Sequence, residues 1–326
     1  MIKKLLLLLT ICNTLLFSNL PIGGNYNMLL SVDKDRYKIE KLKTESSKLQ
    51  FALSENNISV DSLILKNNYI LIQTTSSKQK LMKLLHSNFS ILKIKNEKNQ
   101  YKLTLSNNLN IEKTVDKKIK YLKKRYKMLG IYILDNWFTK ALSYIKHNHT
   151  SVVIEKRDNS RIYIKVENAN DYMKNQYIKD QLNTSSFGFY KVIEKSSKEK
   201  TSQKVAWVDK AENHLYLSTL PIVTQDMILN SSVGFNINNN APLINFQLNE
   251  LGTKIFAQYS RTHTNQRLAI VINQKIYSAP TIREGISDGM VQITGNFTIQ
   301  EAQNISNNLN TIYLPLGIEK NKRLTP

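Results

Sequence analysis

The sequence predicts an α+β protein: a ferredoxin-like (split βαβ) base domain that holds an inserted small α/β unit, followed by a second, strand-rich α+β domain. Three observations carry this. Period-two apolar runs bounded by Gly, Pro and Asn recur along the chain and read as short strands joined by turns. Between them, apolar residues spaced by three and four mark amphipathic helices. Once a self-contained stretch at 34–111 is set aside, the order over residues 25–193 is β, α, β, β, α, β, which is the split βαβ order.

The N-terminus reads as a targeting segment over residues 1–18. Lys3 and Lys4 precede an apolar run from Leu5 to Phe17. That run is shorter than the roughly twenty residues that a membrane-spanning helix needs, which favours a signal peptide cleaved after Ser18 over a retained short anchor. Ile11 before Cys12 argues against a lipoprotein. No other segment approaches eighteen uncharged apolar residues. Cys12 is the only cysteine, so the folded body depends on neither disulfide nor thiolate chemistry.

At 326 residues the chain has room for two or three domains. The base domain takes residues 19–33 and 112–194. Its first strand, Asn25 to Asp33, carries Met28, Leu29, Leu30 and Val32. The inserted unit at 34–111 has helices over Lys38–Leu53 and Lys78–His86, and strands at Tyr69–Gln73, Ile91–Ile94 and Tyr101–Leu105. Ile111 to Gly130 is a basic helix. Val115, Ile119, Leu122, Tyr126 and Leu129 form its inward stripe, and Lys117, Lys120, Lys124 and Lys127 stand among the lysines that fill the rest. Such a face is either simply solvated or turned toward anionic lipid headgroups. Leu134 to His147 is an added helix. Ser151–Ile154 and Arg161–Val166 form a hairpin around Asp158-Asn-Ser, then come a helix at Tyr172–Leu182 and a strand at Phe187–Ile193 that completes the base sheet.

Residues 195–204 are rich in Lys and Ser and poor in apolar side chains, as a linker is. The second domain, 205–297, opens with short strands at Val205–Val208 and His214–Leu217. Leu243 to Leu248 is a strand, and Asn249 caps a helix carrying Leu251, Ile255 and Tyr259. Three strands follow, in Leu268–Ile272, Ile276–Ile282 and Met290–Thr294. A closing segment, 298–326, starts with the capping-box pair Thr298 and Glu301 ahead of Ala302, Ile305, Leu309 and Ile312.

The run Arg267-Leu-Ala-Ile-Val-Ile is followed by Ser278-Ala279-Pro280-Thr-Ile-Arg283, then Ile293-Thr-Gly295-Asn296-Phe297, Glu301-Ala302 and Leu314-Pro315. In this order and spacing the chain resembles the first periplasmic region of SecD, the membrane partner of the bacterial Sec export channel. Upstream, Gly24 and Asn25 stand where SecD has a glycine pair, Asn25 being able to take the left-handed backbone of a second glycine. Pro21 and Gly23 replace the Asp and Arg of that SecD motif. Asn273-Gln274 replaces Asn-Gly or Asp-Gly in the hairpin, which predicts a longer or strained turn. SecD continues into a bundle of membrane helices tied to the proton gradient, and this chain stops at Pro326, where that bundle would begin.

What the resemblance implies is a base and a SecD-like head, with no enzymatic activity and no cofactor. It implies a role in Sec-dependent translocation on the periplasmic face of the inner membrane, with Sec translocase components and unfolded exported polypeptide as partners. A separate chain carrying the missing membrane helices is compatible with it, as is a truncated or degenerate SecD. Two alternatives stay open: a divergent remnant that no longer exports, and an envelope protein that binds lipid or nucleic acid through charge. The net charge of +21 is compatible with the latter, and equally with a compositional bias toward Lys, Asn and Ile. No catalytic triad, Cys/His pair or phosphate-binding loop is present. His86, His147 and His149 have no partners at metal-ligand spacing, and Glu284 and Asp288 fit turn chemistry. No Lys/Arg-Gly-Phe-type motif occupies a strand, and an exported chain has no access to RNA.

Overall fold

Hydrophobic alternation along Gly24–Val32 (β1), Ser151–Asp158 (β6) and Arg161–Ala169 (β7) builds one antiparallel sheet, completed by Leu316–Ile318 (β17) in the order β17-β1-β7-β6. The computed structural model describes residues 24–66, 68–75, 78–106, 109–135, 151–169, 186–193, 202–207, 214–310 and 313–318. It divides into two compact units: Met1–Val32, Val115–Asn183 and Leu316–Pro326, and Asp33–Thr114 with Thr184–Pro315. The targeting segment, the added helix at 136–147, the helix at 172–182 and most of the linker lie outside the described residues.

In the first unit Leu30, Ile154, Ile162 and Ile164 are buried. So are Val115, Ile119 and Leu122 of helix α3, which spans Ile111–Asp135. Burial of this stripe removes about 25 cal/mol per Å2 of apolar surface from water, which is what holds an amphipathic helix on a sheet. Asp116 on α3 pairs with Lys156 of β6 at 3.0 Å. The helix runs on through Gly130, which had been expected to close it. The hairpin β6–β7 turns where foreseen. The Asp158 carboxylate accepts the Ser160 amide at 2.8 Å and the Arg161 guanidinium at 2.5 Å, and these bonds, the amide first, hold its pKa down at about 2.

The second unit contains helix α1 (Lys34–Glu55), the sheet β2-β3-β5-β4 (Ser62–Lys66, Tyr69–Gln73, Gln100–Leu105 and Leu92–Glu97) and helix α2 (Lys78–Asn88). Leu42, Leu49 and Leu53 of α1 close a core with Ile70, Ile72, Leu81, Leu85 and Leu103. β2 had no expectation attached: Ser-Leu-Ile-Leu-Lys is too short and too continuously apolar to show a period.

The same unit holds the head. Phe187–Ile193 (β8), Ser202–Ala206 (β9), His214–Ser218 (β10), Leu268–Ile272 (β14) and Lys275–Ser278 (β15) form a sheet ordered β15-β14-β8-β10-β9, and Val223–Thr224 (β11) also pairs with β8. Here the structure departs from expectation: β8 does not complete the base sheet. Its residues explain why. Phe187 and Phe189 point into one core and Tyr190 into another, so β8 needs cover on both faces. β14, buried at every position, supplies a matching neighbour. The three residues of β17 take the edge beside β1 instead. The end of the expected linker is also strand, since Ser202 to Lys204 belong to β9. Trp207 bridges Ile276, which brings β9 round to β15 and curls the sheet about Tyr190, Val205, Leu217, Ala269, Val271 and Ile276.

A second head sheet, β12-β13-β16 (Ile228–Phe235, Pro242–Leu248, Met290–Thr294), packs on α4 (Glu250–Thr262) and α5 (Ile299–Leu309). Asn249 caps α4 by accepting the Gly252 amide at 2.9 Å. Gly252 is required there, because a Cβ would meet Met227 Cβ at 2.9 Å. Thr298 and Glu301 form the expected capping box, and α5 ends at Leu309, short of Ile312. Phe187, Phe189, Phe246 and Phe256 join the layers, with ring centroids 5.2–5.8 Å apart.

The β14–β15 turn stays at two residues. Asn273 and Gln274 both take positive φ, 51° and 63°. Asn273 accepts the Ser186 amide at 3.1 Å and donates to its carbonyl at 2.9 Å, which fixes the turn against the start of β8. Gln274 has no such compensation among the described bonds, and a left-handed non-glycine residue costs about 1–2 kcal/mol. Gln274→Gly should therefore stabilise the protein by roughly 0.5–1 kcal/mol, after the unfolded-chain entropy of glycine is subtracted. A shift of the urea midpoint to higher concentration, at unchanged slope, checks this; a lower midpoint contradicts it.

Candidate functional site

Helix α1 carries a polar stripe at spacings of three and four: Lys41, Thr44, Ser47, then Phe51 and Ser54. This stripe faces the head. Ser47 donates its hydroxyl to the Ile222 carbonyl. Thr44 Oγ1 lies 3.1 Å from Thr224 Oγ1, and Gln50 Nε2 donates to the Pro221 carbonyl at 3.4 Å. Lys41 Nζ bonds Asp226 Oδ2 at 2.5 Å. At the far end Gln258 of α4 donates to Ser54 at 3.1 Å and to Glu55 at 3.0 Å. Burial pulls the Lys41 ammonium down, but Asp226 more than restores it, and the net shift is upward. Lys43 behaves alike: burial lowers it, Tyr190 and Glu40 raise it further, and Glu40 bonds it at 2.9 Å. Burial in turn pushes the Tyr190 phenol up.

Beside this seam a groove of about 390 Å3 opens between α1, α4 and the segment 218–222. Phe51, Leu220, Ile222, Ile255 and Tyr259 give it an apolar lining; Ser47, Gln50, Ser54, Gln258 and Thr262 give it uncharged donors and acceptors. Lys191 and His263 complete the wall. Tyr259 stacks on the His263 ring at 4.0 Å, and His263 Nδ1 lies 3.0 Å from the Tyr259 carbonyl oxygen. The Tyr259 hydroxyl is shut off from solvent and has no hydrogen-bond partner among the described residues. Burial pushes its pKa up to about 12. A lining of this kind can hold an apolar side chain while amides and hydroxyls bond a peptide backbone.

The second surface is the hairpin β12–β13. Met227 to Asn249 contains no charged residue, and neither does Gly289 to Gln300, in a chain of 22% charged residues. Ile237 at the tip is fully exposed, and Phe235 is 49% exposed. The tip is held rigid by Asn236, which accepts the Asn238 amide at 2.9 Å, and by Asn239, which accepts the Ala241 amide at 3.1 Å. Along the outer edge of β12, the Asn310 side chain accepts the Ser231 amide at 2.6 Å and donates to its carbonyl at 2.8 Å, blocking that position. By the antiparallel alternation, Val233 and Phe235 turn their amides to the same side beyond the block.

The motif residues singled out from sequence are mostly scaffold. Arg267 Nε donates to the Ala279 carbonyl at 3.2 Å, and the Pro280 carbonyl accepts the Leu268 amide at 2.9 Å. Ser278 pairs with Ile270, and Arg283 is exposed. A Cβ on Gly295 would lie 3.1 Å from the Phe297 ring, which stacks on Tyr277; Asn296 between them is exposed. Glu301 caps, Ala302 and Leu314 are fully buried, and the Pro315 carbonyl accepts the Asp33 amide at 2.9 Å. Gly24 and Asn25 lie in strand β1, at an irregularity of register. Lys117, Lys120 and Lys124 are exposed on α3; the side chain of Lys127 is outside the described residues. None of the motif positions lines the groove. Its residues were missed because their signal is a hydroxyl stripe on α1, which has no apolar period.

Residues 199–316 match the family model described as "SecDF, P1 head subdomain". Over 317 residues, 92% of the chain, the sequence is 26% identical to the protein translocase subunit SecD of Rickettsia typhi. The chain is similar to SecD. A 95-residue stretch is 40% identical to the SecD subunit of Aquifex aeolicus, covering 29% of this chain and 19% of that one. A solved structure, "Structure and function of a membrane component SecDF that enhances protein export", aligns at 19% identity with a TM-score of 0.49, covering 65% of this chain and 94% of that chain. The chain spans 57% of the length of the Rickettsia typhi SecD. Among the described residues no helix is long and apolar enough to cross a membrane.

Because its hydroxyl is desolvated and unpartnered, Tyr259→Phe should leave stability unchanged or raise it by up to about 1 kcal/mol. The sign with pH follows from the raised pKa. Tyr259 adds no pH dependence below the unfolded-state value of about 10, and stability falls as pH rises from there toward about 12. Denaturation of wild type and variant between those pH values should show a shallower alkaline loss in the variant. A destabilised variant at neutral pH would contradict this reading.

Proposed function

We propose that this SecD-like chain is a non-enzymatic accessory component of Sec-dependent protein translocation. It binds translocating polypeptide on the periplasmic face of the inner membrane. The observation that carries this reading is the similarity to SecD along 92% of the chain. Two surfaces suit the role. The groove at Phe51 and Tyr259 offers an apolar lining and uncharged backbone partners, and the hairpin offers Phe235, Ile237 and a short stretch of open edge for strand addition. Neither demands a particular charge from the polypeptide, which suits a binder of many sequences. The base sheet is proposed to be ferredoxin-like, with β17 rather than β8 as its fourth strand.

A photo-crosslinking residue at Ile237 and another at Phe51, in cells exporting a stalled precursor, should capture that precursor, while one at exposed Lys254 should not. Capture at neither site would leave the alternative, a remnant that no longer exports. That alternative has its own support in Pro21 and Gly23, which replace the charged pair of the SecD motif.

The α3 lysines are proposed to face anionic lipid. Charge reversal at Lys117, Lys120 and Lys124 should weaken binding of the protein to acidic vesicles, each lysine being worth about 1 kcal/mol near such a surface. Unchanged binding would favour compositional bias as the source of this charge.

A further inference from the structure

The sheet β2-β3-β5-β4 has a core face and an outer face, and the outer face has no role in anything described above. Strand alternation sends Ile70, Ile72, Tyr101 and Leu103 inward, where they are fully or almost fully buried. The alternate residues share the other face. Cross-strand pairing sets Ile64 beside Leu71, Lys66 beside Tyr69, Leu71 beside Lys102, Lys102 beside Lys95 and Thr104 beside Lys93. The result is a half-exposed apolar centre of Ile64, Tyr69 and Leu71, with exposed lysines 66, 93, 95 and 102 around it. Lys102 Nζ lies 4.3 Å from the centre of the Tyr69 ring. Lys95 and Lys102 are direct cross-strand partners, a pairing of like charges that Glu97, bonded to Lys95, partly offsets. Glu97, which bonds Lys95, is the only acidic residue between Lys66 and Ser106, against eight lysines.

We infer that this outer face is a docking platform for an anionic phospholipid surface. Charge complementarity points to a polyanion, and the character of the face selects among polyanions. The four cations of the face, Lys66, Lys93, Lys95 and Lys102, are all lysines. Lysine acts as a mobile point charge on a long apolar stem, suited to diffuse attraction by many headgroups. Arginine supplies the rigid fork by which defined phosphates, bases or carboxylates are usually read. Lysine stems over Leu71 and Ile64, with a tyrosine at the same level, match the interfacial layer of a bilayer, where amphipathic side chains keep the polar tip in water.

The inference stands apart from the translocation reading and is tested without an exporting cell. The full chain is sedimented with vesicles of equal parts phosphatidylglycerol and phosphatidylcholine, and with vesicles of phosphatidylcholine alone. The comparison removes the charge-independent contribution of the N-terminal apolar run. In Lys93→Gln/Lys95→Gln/Lys102→Gln, the excess partition into anionic vesicles should fall roughly a hundredfold. The corresponding arginine variant should keep it within a few-fold, and thermal melting should show both variants folded. Lys117→Gln/Lys120→Gln/Lys124→Gln on α3 should lower partition through its own contacts, and combining the two sets should lower it further than either alone. The inference is overturned if the glutamine variant on the sheet partitions like wild type, or if adding it to the α3 variant lowers partition no further. It is also overturned if wild type shows no preference for anionic vesicles, or if poly-glutamate or an oligonucleotide at equal charge displaces it from them.

Discussion

The second unit depends on helix α1 being covered on two sides. Leu42, Leu49 and Leu53 close the core of the small sheet, and Lys41, Thr44, Ser47 and Ser54 bond the head. A helix with one apolar stripe can serve one core. The polar stripe lets the same helix serve a second partner without an all-round hydrophobic surface, and it sets register through directional bonds. The cost lies in exactness of fit rather than in area: each hydroxyl taken from water must find its acceptor, and an orphan costs about 1–3 kcal/mol. This is why Thr44 and Ser47, almost wholly buried, both have partners.

The groove follows from that docking. Phe51 continues the polar stripe of α1 by one further turn, where the seam stops being hydrogen-bonded and opens. α4 forms the other wall, held in place by its Asn249 cap and by the close approach of Gly252 to Met227. The space therefore lies between two helices that the Gln258–Ser54 and Gln258–Glu55 bonds join at its wall. The uncharged hairpin and the lysine-faced sheet belong to the same unit. Within one cationic chain the hairpin carries no charge, while the outer face of the small sheet carries Lys66, Lys93, Lys95 and Lys102.

Much of this was legible beforehand. Helices α4 and α5, their caps at Asn249 and Thr298, and the run of strands from Leu268 to Thr294 follow from period and capping chemistry. The fate of β8 was not legible. Phe-Gly-Phe-Tyr-Lys-Val-Ile reads as a strand in either sheet, and only the presence of two cores to receive Phe189 and Tyr190 decides between them. The turn at Asn273-Gln274 was expected to lengthen or strain; it keeps two residues and places Gln274 in the left-handed region, because the Asn273–Ser186 pair fixes its outer side. The groove was invisible for a different reason. Its walls meet across nearly two hundred residues of chain, and hydroxyl stripes have no tertiary signature in a single sequence.

Native-state hydrogen exchange in low denaturant would weigh the role given to α1. If its two-sided docking makes the small sheet and the head one cooperative body, the amides of Leu49 in α1, Leu103 in β5 and Ile270 in β14 should open with the same free energy and the same denaturant slope. Ser47→Val should lower all three together. Opening of Leu103 at a lower free energy, with Ile270 unaffected by Ser47→Val, would mean that the small sheet and the head are separate bodies and that the groove has no fixed walls.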